Sequence, residues 1–572
     1  MIIFLCVCIA VAILTGRLYY WQVIDGSQLA RWANAEHTQS GQVNAPRGNI
    51  YDVNGLLLAT NIVRDDVYVD PAQIVSDNPN TYEGVRVQLA QKLHRVLTNV
   101  PVTTLEQDLS LNVAAVPVAV SITPAQSAQL SAMQLPYTFL QPRTWRDYPQ
   151  GDAMAQILGY VQDTTNTTPH GVYGIERSYD QQLAGKPGSF TTETDLNGNP
   201  LTVGASSSQQ PVPGSNITLT IDSDIQYQLQ TELDARVKQT GSLSGSAVVV
   251  DARTGAIVAM AGSPTFDPNN YGQYASQKGC LNTEEVYMNP VLYCEYEPGS
   301  TMKVITMAAA LDQHKVTPSS TINDPGYVDF SDGTPRVTNW DYPAGHGKET
   351  MTQVLEYSSN VGASIIGHNY LGPQGFYPYV QRFGFGQCTG LFAPESCGSY
   401  SSPQDNGWSP SDLARQSFGQ SILVTPIQMA MAYEAVANNG VMMKPYIVSE
   451  ISSGQKVTNI QPQVSHQVIS AQADQELVGM LKANALYNKG EASVPGYQIA
   501  FKSGTATTQG LSMSETEASL AGFIPATDPR FVILVKLDHP DDIFGGNAAG
   551  PLWSQIAQQL MLRYNIPPDQ QP

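Results

Sequence analysis

Three short motifs, far apart in the sequence, have to meet in space before this chain can do any chemistry: Ser300-Thr301-Met302-Lys303, Ser358-Ser359-Asn360 and Lys502-Ser503-Gly504-Thr505. Between them they supply a hydroxyl nucleophile, an amine base, a proton relay and a cationic clamp. The fold must therefore bring a helix head, a turn and a strand to one cleft. Glu297-Pro298-Gly299 is a turn ending where an apolar helix, Thr301 to Leu311, begins. Ser300 then sits at a helix N-terminus, where backbone N–H groups and the helix dipole favour developing negative charge. Lys303, three residues on, returns to the same face. Its neighbours Val304, Ile305, Met307 and Ala308-Ala309-Ala310 are apolar all round, so the helix is expected to be buried. Desolvation should then lower the lysine pKa towards that of a base usable at neutral pH. The same spacing recurs at Ser453-Gly454-Gln455-Lys456, but in a Gly-containing turn with no helix behind it, and context selects Ser300.

Ser358-Ser359-Asn360 follows a helical stretch, Thr352 to Tyr357, and offers a hydroxyl to relay protons and an amide to hold a peptide group. A lone Ser-x-Asn is ordinarily a cap or turn, the reading given to Ser76-Asp77-Asn78. Lys502-Ser503-Gly504-Thr505 follows the apolar strand Gln498 to Phe501. Its small residues leave room for a substrate backbone along the strand edge, and Lys502 supplies charge for a carboxylate. The Thr505 N–H is placed to complete an oxyanion hole with that of Ser300. Ser300, Lys303, Ser358, Asn360 and Lys502 are thus the candidate catalytic residues, with Ser359, Ser503, Gly504 and Thr505 as substrate-binding ones.

The rest of the chain says where such a site would work. Met1 to Thr15 is an apolar, uncharged run, extended by Leu18-Tyr19-Tyr20-Trp21 with Arg17 snorkelling. Residues 1–22 are read as an uncleaved membrane anchor, with the remainder outside the cytoplasm. The small-x-small triplet Ala10-Val11-Ala12 lies within the run, with no polar stretch before it, which disfavours a cleaved signal peptide. No Lys or Arg precedes the run, so the true reading frame is expected to begin upstream of Met1. The charge balance, 29 basic against 49 acidic residues for a net of -20, argues against nucleic acid or anionic lipid as the main partner. Cys280 with Cys294, and Cys388 with Cys397, are local pairs that could close short loops in an oxidising compartment. A zinc site is disfavoured because no His lies at ligand spacing, and Cys6 and Cys8 are fillers within the anchor.

Gln22 to Gln42 reads as a polar helical stalk, Asn54-Gly55 as a hairpin turn, Tyr82 to Leu97 as a helix and Leu201 to Gly214 as a linker. Boundaries are set at 23–213 for an N-terminal domain and 214–572 for the domain with the motifs. In the latter, Asn216 to Asp222 is a strand and Ser223 to Gln239 an amphipathic helix. Ser246 to Asp251 and Ala256 to Ala261 form a hairpin through Arg253-Thr254-Gly255. Tyr497 to Lys502, Ala518 to Phe523 and Phe531 to Leu537 are strands, and Leu552 to Tyr564 is a closing helix. Strands at both ends with helices between predict an α+β fold, an antiparallel sheet covered by helices.

The motif set resembles that of the penicilloyl serine transferases, the penicillin-binding proteins and serine β-lactamases. Arg47-Gly48-Asn49-Ile50-Tyr51-Asp52 with Asn54-Gly55 is similar to the opening of the non-catalytic domain of class B penicillin-binding proteins. Gly171-Val172-Tyr173-Gly174-Ile175-Glu176 with Leu183-Ala184-Gly185 is similar to its later signature. Pro264-Thr265-Phe266-Asp267-Pro268-Asn269 and Thr425-Pro426-Ile427-Gln428 resemble class B transpeptidase segments. Phe418-Gly419-Gln420-Ser421 departs at Ser421, where glycine is usual, and a local turn effect without lost activity is expected. The resemblance implies the transpeptidase fold on an elongated N-terminal pedestal or dimerisation domain with a single anchor. It implies a D,D-transpeptidase that cross-links peptidoglycan stem peptides at D-Ala-D-Ala, is acylated by β-lactams, and needs no metal or organic cofactor. The Phe-Asp-Pro-Asn and Glu-Pro-Gly-Ser-Thr forms resemble the septal, cell-division branch more than the elongation branch. Implied partners are a polytopic glycosyltransferase and other division proteins. A β-lactamase shares the nucleophile but has no use for a large membrane-proximal domain, and a β-lactam sensor would need a cytoplasmic domain that is not seen.

Overall fold

The two β-branched runs flanking Arg253-Thr254-Gly255 form the expected hairpin, with Gly255 in the left-handed region at φ +74°. A computed structural model describes residues 1–29, 38–163, 169–193, 206–507 and 515–569. Helix α1 (Ser223–Gln239) precedes strands β1 (Ser244–Asp251) and β2 (Ile257–Ser263). Strands β3 (Ala500–Thr507), β4 (Thr516–Ile524) and β5 (Phe531–Asp538) come from the far end of the chain. They join in the order β2-β1-β5-β4-β3, every neighbouring pair antiparallel. The sheet thus joins both ends of the segment and leaves β3, which carries Lys502, at its edge.

Every residue of β1, β2, β4 and β5 is buried, so the sheet is covered on both faces and its strands read as continuous apolar runs. Ala247, Val249, Phe531, Ile533, Val535 and Leu537 share one core with α1 and the closing helix. That helix buries Trp553, whose Nε1 donates to Ile533 O at 3.0 Å. Successive strand side chains alternate in face, so Val248, Val250, Val532 and Leu534 meet the helices on the other side. On that side α4 (Pro426–Ala437) lies against β1, β4 and β5, and α5 (Ala471–Tyr487) against β3; α2 (Lys303–Asp312) packs on α5, α3 (Asn360–Ile365) lies farther out, and α6 (Gly545–Arg563) is the closing helix. α4 is buried along its whole length.

By packing, residues 49–180 and 216–572 make one compact unit, and residues 1–48 with 181–215 make another. This division does not follow the 213/214 boundary read from composition. In the larger unit, Ile50–Tyr51 pairs in parallel with Asn216–Leu219, which pairs with Val448–Ser453. A long strand, Leu57–Val69, pairs with Thr138–Asp147 and Val116–Ile122 over a core closed by the helix Tyr82–His94. Polar side chains tie this segment to the catalytic sheet: Gln226 Nε2 donates to Ala153 O at 2.8 Å, and Asn289 Nδ2 to Gln156 O at 3.1 Å.

In the smaller unit, the apolar run is a helix, Ile2–Tyr19, that continues through a wider turn to Ile24. Ile2–Ile24 has a mean hydropathy of 2.3 and is long and apolar enough to cross a membrane. The expected helical stalk is corrected at its end. Thr38–Val43 is a strand, paired with Gly188–Glu193, which pairs in turn with Ser206–Gln209. The expected linker therefore contains a strand; its first residues, 201–205, lie outside the described ones. Runs of Ser, Thr and Gln carry no apolar alternation, so ladder hydrogen bonding there leaves no mark in the composition.

Candidate active site

Ser300 lies in a 3-10 turn, Gly299–Met302, that runs directly into α2. Three residues per turn bring positions i and i+3 into line, which stacks Lys303 over Ser300 more tightly than an α-turn would. The turn packs against the β3 edge, and the approach is close. A β-carbon on Gly299, at φ +56°, would lie 2.7 Å from Thr505 O, and one on Gly504 would lie 2.6 Å from Pro298 O. Behind it, Tyr433 Oη of α4 donates to Thr301 O at 3.1 Å, pinning the nucleophile turn to the buried helix.

Lys303 is 1 % exposed, and its Nζ lies 2.9 Å from Ser300 Oγ. It donates to Ser358 O at 2.6 Å and Asn360 Oδ1 at 2.8 Å, and is 3.2 Å from Ser358 Oγ. Ser358 Oγ donates to Ser300 Oγ at 2.8 Å. The backbone carbonyl and the amide oxygen can only accept, so they take the two hydrogens of a neutral amine. Its lone pair is left for the Ser300 hydroxyl. Burial first, and then the Lys502 ammonium, hold the Lys303 amine well below the ordinary lysine range, against the opposing pull of Glu349 and Asp324. The arrangement can therefore deprotonate Ser300 and pass the proton on through Ser358.

A cleft of about 1200 Å³ opens on this cluster, lined by Ser300, Ser358, Asn360, Lys502, Ser503 and Thr505. Lys502 is itself buried, which lowers its pKa to about 8 although Glu491 works the other way. Thr505 Oγ1 accepts from Gly545 N–H at 2.9 Å, where α6 begins. The strand was expected to end at Phe501 or Lys502, but it runs from Ala500 to Thr507, so the whole motif is paired with β4. Gly504 is buried and serves the close approach of the nucleophile turn.

Among the expected substrate contacts Gly504 does not line the cleft, and nor does Ser359. It is 0 % exposed and faces away from the cleft. Its Oγ caps α3 by accepting from Gly362 N–H at 2.8 Å and donates to Asp324 Oδ2 at 2.7 Å. The reason is backbone geometry: Ser358 adopts φ +56°, which swings consecutive side chains to opposite sides of the turn. Sequence reasoning also missed residues around the motifs. Trp340 and Phe544 meet edge to face at 5.9 Å on the cleft wall. Asp324, His346 and Glu349 lie behind the Ser-Ser-Asn turn, their donor atoms within 4.8 Å of one another, a spacing that could hold a metal ion. Asp324 sits in an Asp-Pro-Gly sequence that reads only as a turn, so no local signal marked it.

Residues 245–561 match the penicillin binding protein transpeptidase domain, and residues 42–219 the penicillin-binding protein dimerisation domain. The chain belongs to the penicillin-binding protein transpeptidase family. It is 29 % identical to the peptidoglycan D,D-transpeptidase FtsI of Escherichia coli K12, covering 99 % of this chain and 91 % of that one. To the penicillin-binding protein PbpB of Mycolicibacterium smegmatis it is 30 % identical, covering 96 % and 88 %. Among solved structures, a peptidoglycan synthetase from Bifidobacterium adolescentis superposes with a TM-score of 0.71 at 27 % identity, covering 94 % of this chain and 98 % of that one. Penicillin binding protein 3 of Mycobacterium tuberculosis in complex with aztreonam does so with a TM-score of 0.67 at 27 % identity, covering 93 % and 98 %. This penicillin-binding protein thus matches the family's two domains in the order its own motifs and signatures suggested.

Proposed function

We propose that this penicillin-binding protein is a class B peptidoglycan D,D-transpeptidase working in septal cell-wall synthesis. The observation that carries the reading is the contact set of Lys303, two obligate acceptors and two hydroxyls around a desolvated amine. Ser300 attacks the carbonyl between the terminal D-alanines of a stem peptide, and Lys303 takes its proton. The backbone N–H groups of Ser300 and Thr505 hold the oxyanion. Ser358 delivers the proton to the departing D-alanine, and Asn360 holds the peptide amide. The donor peptide lies along the β3 edge beside Ser503, and Lys502 with Thr505 binds its carboxylate. An amine from a neighbouring stem then takes the acyl group from Ser300. A β-lactam acylates the same oxygen.

Residues 1–22 anchor the chain as a single pass in the cell membrane, with the catalytic domain outside the cytoplasm. Residues 23–213 serve as the pedestal and 214–572 as the transpeptidase. A septal role is supported by the FtsI name of the Escherichia coli relative, and partners of that role are a polytopic glycosyltransferase and division proteins. The test is labelled penicillin added to the wild type, Ser300→Ala and Lys303→Ala. The wild type should hold the label for many minutes and both variants should stay unlabelled while folded. Rapid drug turnover would indicate a β-lactamase, and retained labelling of Ser300→Ala would refute the nucleophile.

A further inference from the structure

Asp324 touches neither the nucleophile nor the amine, yet its carboxyl group is bonded to the turn that carries the relay, directly through Ser359 and by way of Asn339. It ends the strand Thr321–Asp324 and is 0 % exposed. Its Oδ2 accepts from Ser359 Oγ and from Asn339 Nδ2, each at 2.7 Å, and its Oδ1 accepts from Gly326 N–H at 2.7 Å. Ser359 passes the hold to α3 through Gly362 N–H, and Asn339 does so through its Oδ1, which accepts from Val361 N–H at 3.1 Å. Beside Asn339, Thr338 O accepts from Asn360 Nδ2 at 3.1 Å, which turns the Asn360 oxygen towards Lys303.

Ser358, between these supports, has φ +56°. That conformation is strained for a residue with a β-carbon and persists only where its surroundings dictate it. We infer that Asp324 is a positioning residue for acyl transfer, holding the Ser358 hydroxyl and the Asn360 amide against Ser300 and Lys303 by way of Ser359 and Asn339. The inference rests on the proposed roles of Ser300 and Lys303. A relay hydroxyl works only at hydrogen-bond distance, so loosening this strut slows the chemical step and leaves ligand affinity largely intact.

The test is the rate of acylation by a fluorescent penicillin in the full chain, resolved into an encounter constant and a first-order acylation rate. Asp324→Ala should slow acylation about 10- to 100-fold and leave the encounter constant within about threefold. Ser359→Ala should slow the same step. The double variant should be no slower than Asp324→Ala by more than about threefold, because the two act through one bond, whereas independent effects would multiply. Asp324→Asn, which keeps the shape and an acceptor oxygen, should recover part of the rate. Should Asp324→Ala fail to fold, Ser359→Ala and Asn339→Ala decide by the same criteria. An unchanged acylation rate in folded variants, multiplying losses, or a loss confined to the encounter constant would overturn the inference. Failure of the underlying reading is distinguishable, since Ser300→Ala would then still take the label.

Discussion

Two buried lysines serve one cleft, Lys502 on its wall and Lys303 behind Ser300, and their environments assign them different charge states. Lys303 is held low by burial and by Lys502, whereas Lys502 titrates at about 8 and is still largely cationic at neutral pH. The encounter constant for a carboxylate-bearing β-lactam should therefore weaken as pH rises through about 8, and a flat profile between pH 7 and 9.5 would refute the clamp. Stability moves the other way. An unfolded lysine titrates near 10.5, so between about 8 and that value the unfolded chain binds the extra proton and this group's contribution to stability rises with pH. Ser421 makes a second residue-scale case. It stands at φ +58°, the local turn effect expected there, and its N–H donates to Glu297 Oε1 at 2.8 Å. Relief of the left-handed strain outweighs the added freedom of the unfolded chain, so Ser421→Gly should stabilise by up to about 1 kcal/mol. A lowered melting temperature would contradict this.

At the scale of elements, what could be read from the sequence was what burial and periodicity write into it. α1 begins and ends where its amphipathic pattern does, and the three late strands fall on their apolar runs. What could not be read depends on contacts distant in sequence. The extension of β3 through Lys502 to Thr507 comes from pairing with β4, and the 3-10 turn at Ser300 comes from packing on that strand. Nor does Ser-Ser-Asn spacing reveal which hydroxyl faces the cleft; a left-handed Ser358 decides it. Gly504→Ala tests this docking. Its β-carbon would press into Pro298 O, so the variant should lose about 1–3 kcal/mol and acylate more slowly. Unchanged acylation would mean that the nucleophile turn does not lean on the strand. Both local cysteine pairs are bonded, and Cys280–Cys294, 14 residues apart, closes a loop whose opening by Cys→Ser at both positions should cost about 3 kcal/mol, read as a lower melting temperature.

For the whole molecule, the decisive matter is whether residues 49–180 unfold with the catalytic segment or apart from it. They share one compact unit, and polar bonds cross the seam within it: Tyr148 N–H donates to Asn269 Oδ1 at 2.9 Å, and Asn269 Nδ2 to Tyr148 O at 3.0 Å. On the 49–180 side of that seam, Arg146, with 4 % of its side chain exposed, donates through Nε to Glu176 Oε1 at 2.7 Å, and Glu176 is fully buried. Beside them, Tyr160 stacks on Tyr271 at 4.0 Å and meets Phe266 edge to face, joining the two segments by ring contacts. Breaking a buried ion pair from one side strands the other charge without solvent, at a cost of about 3–5 kcal/mol. Arg146→Ala should therefore lower the melting temperature sharply, and Arg146→Met with Glu176→Gln should recover most of the loss, because neither charge is then left buried alone. Scanning calorimetry reads the coupling directly. If the seam is cooperative, Arg146→Ala shifts one transition of the whole unit, whereas a separate early transition with labelling of Ser300 retained would show that the pedestal segment opens while the catalytic sheet stands.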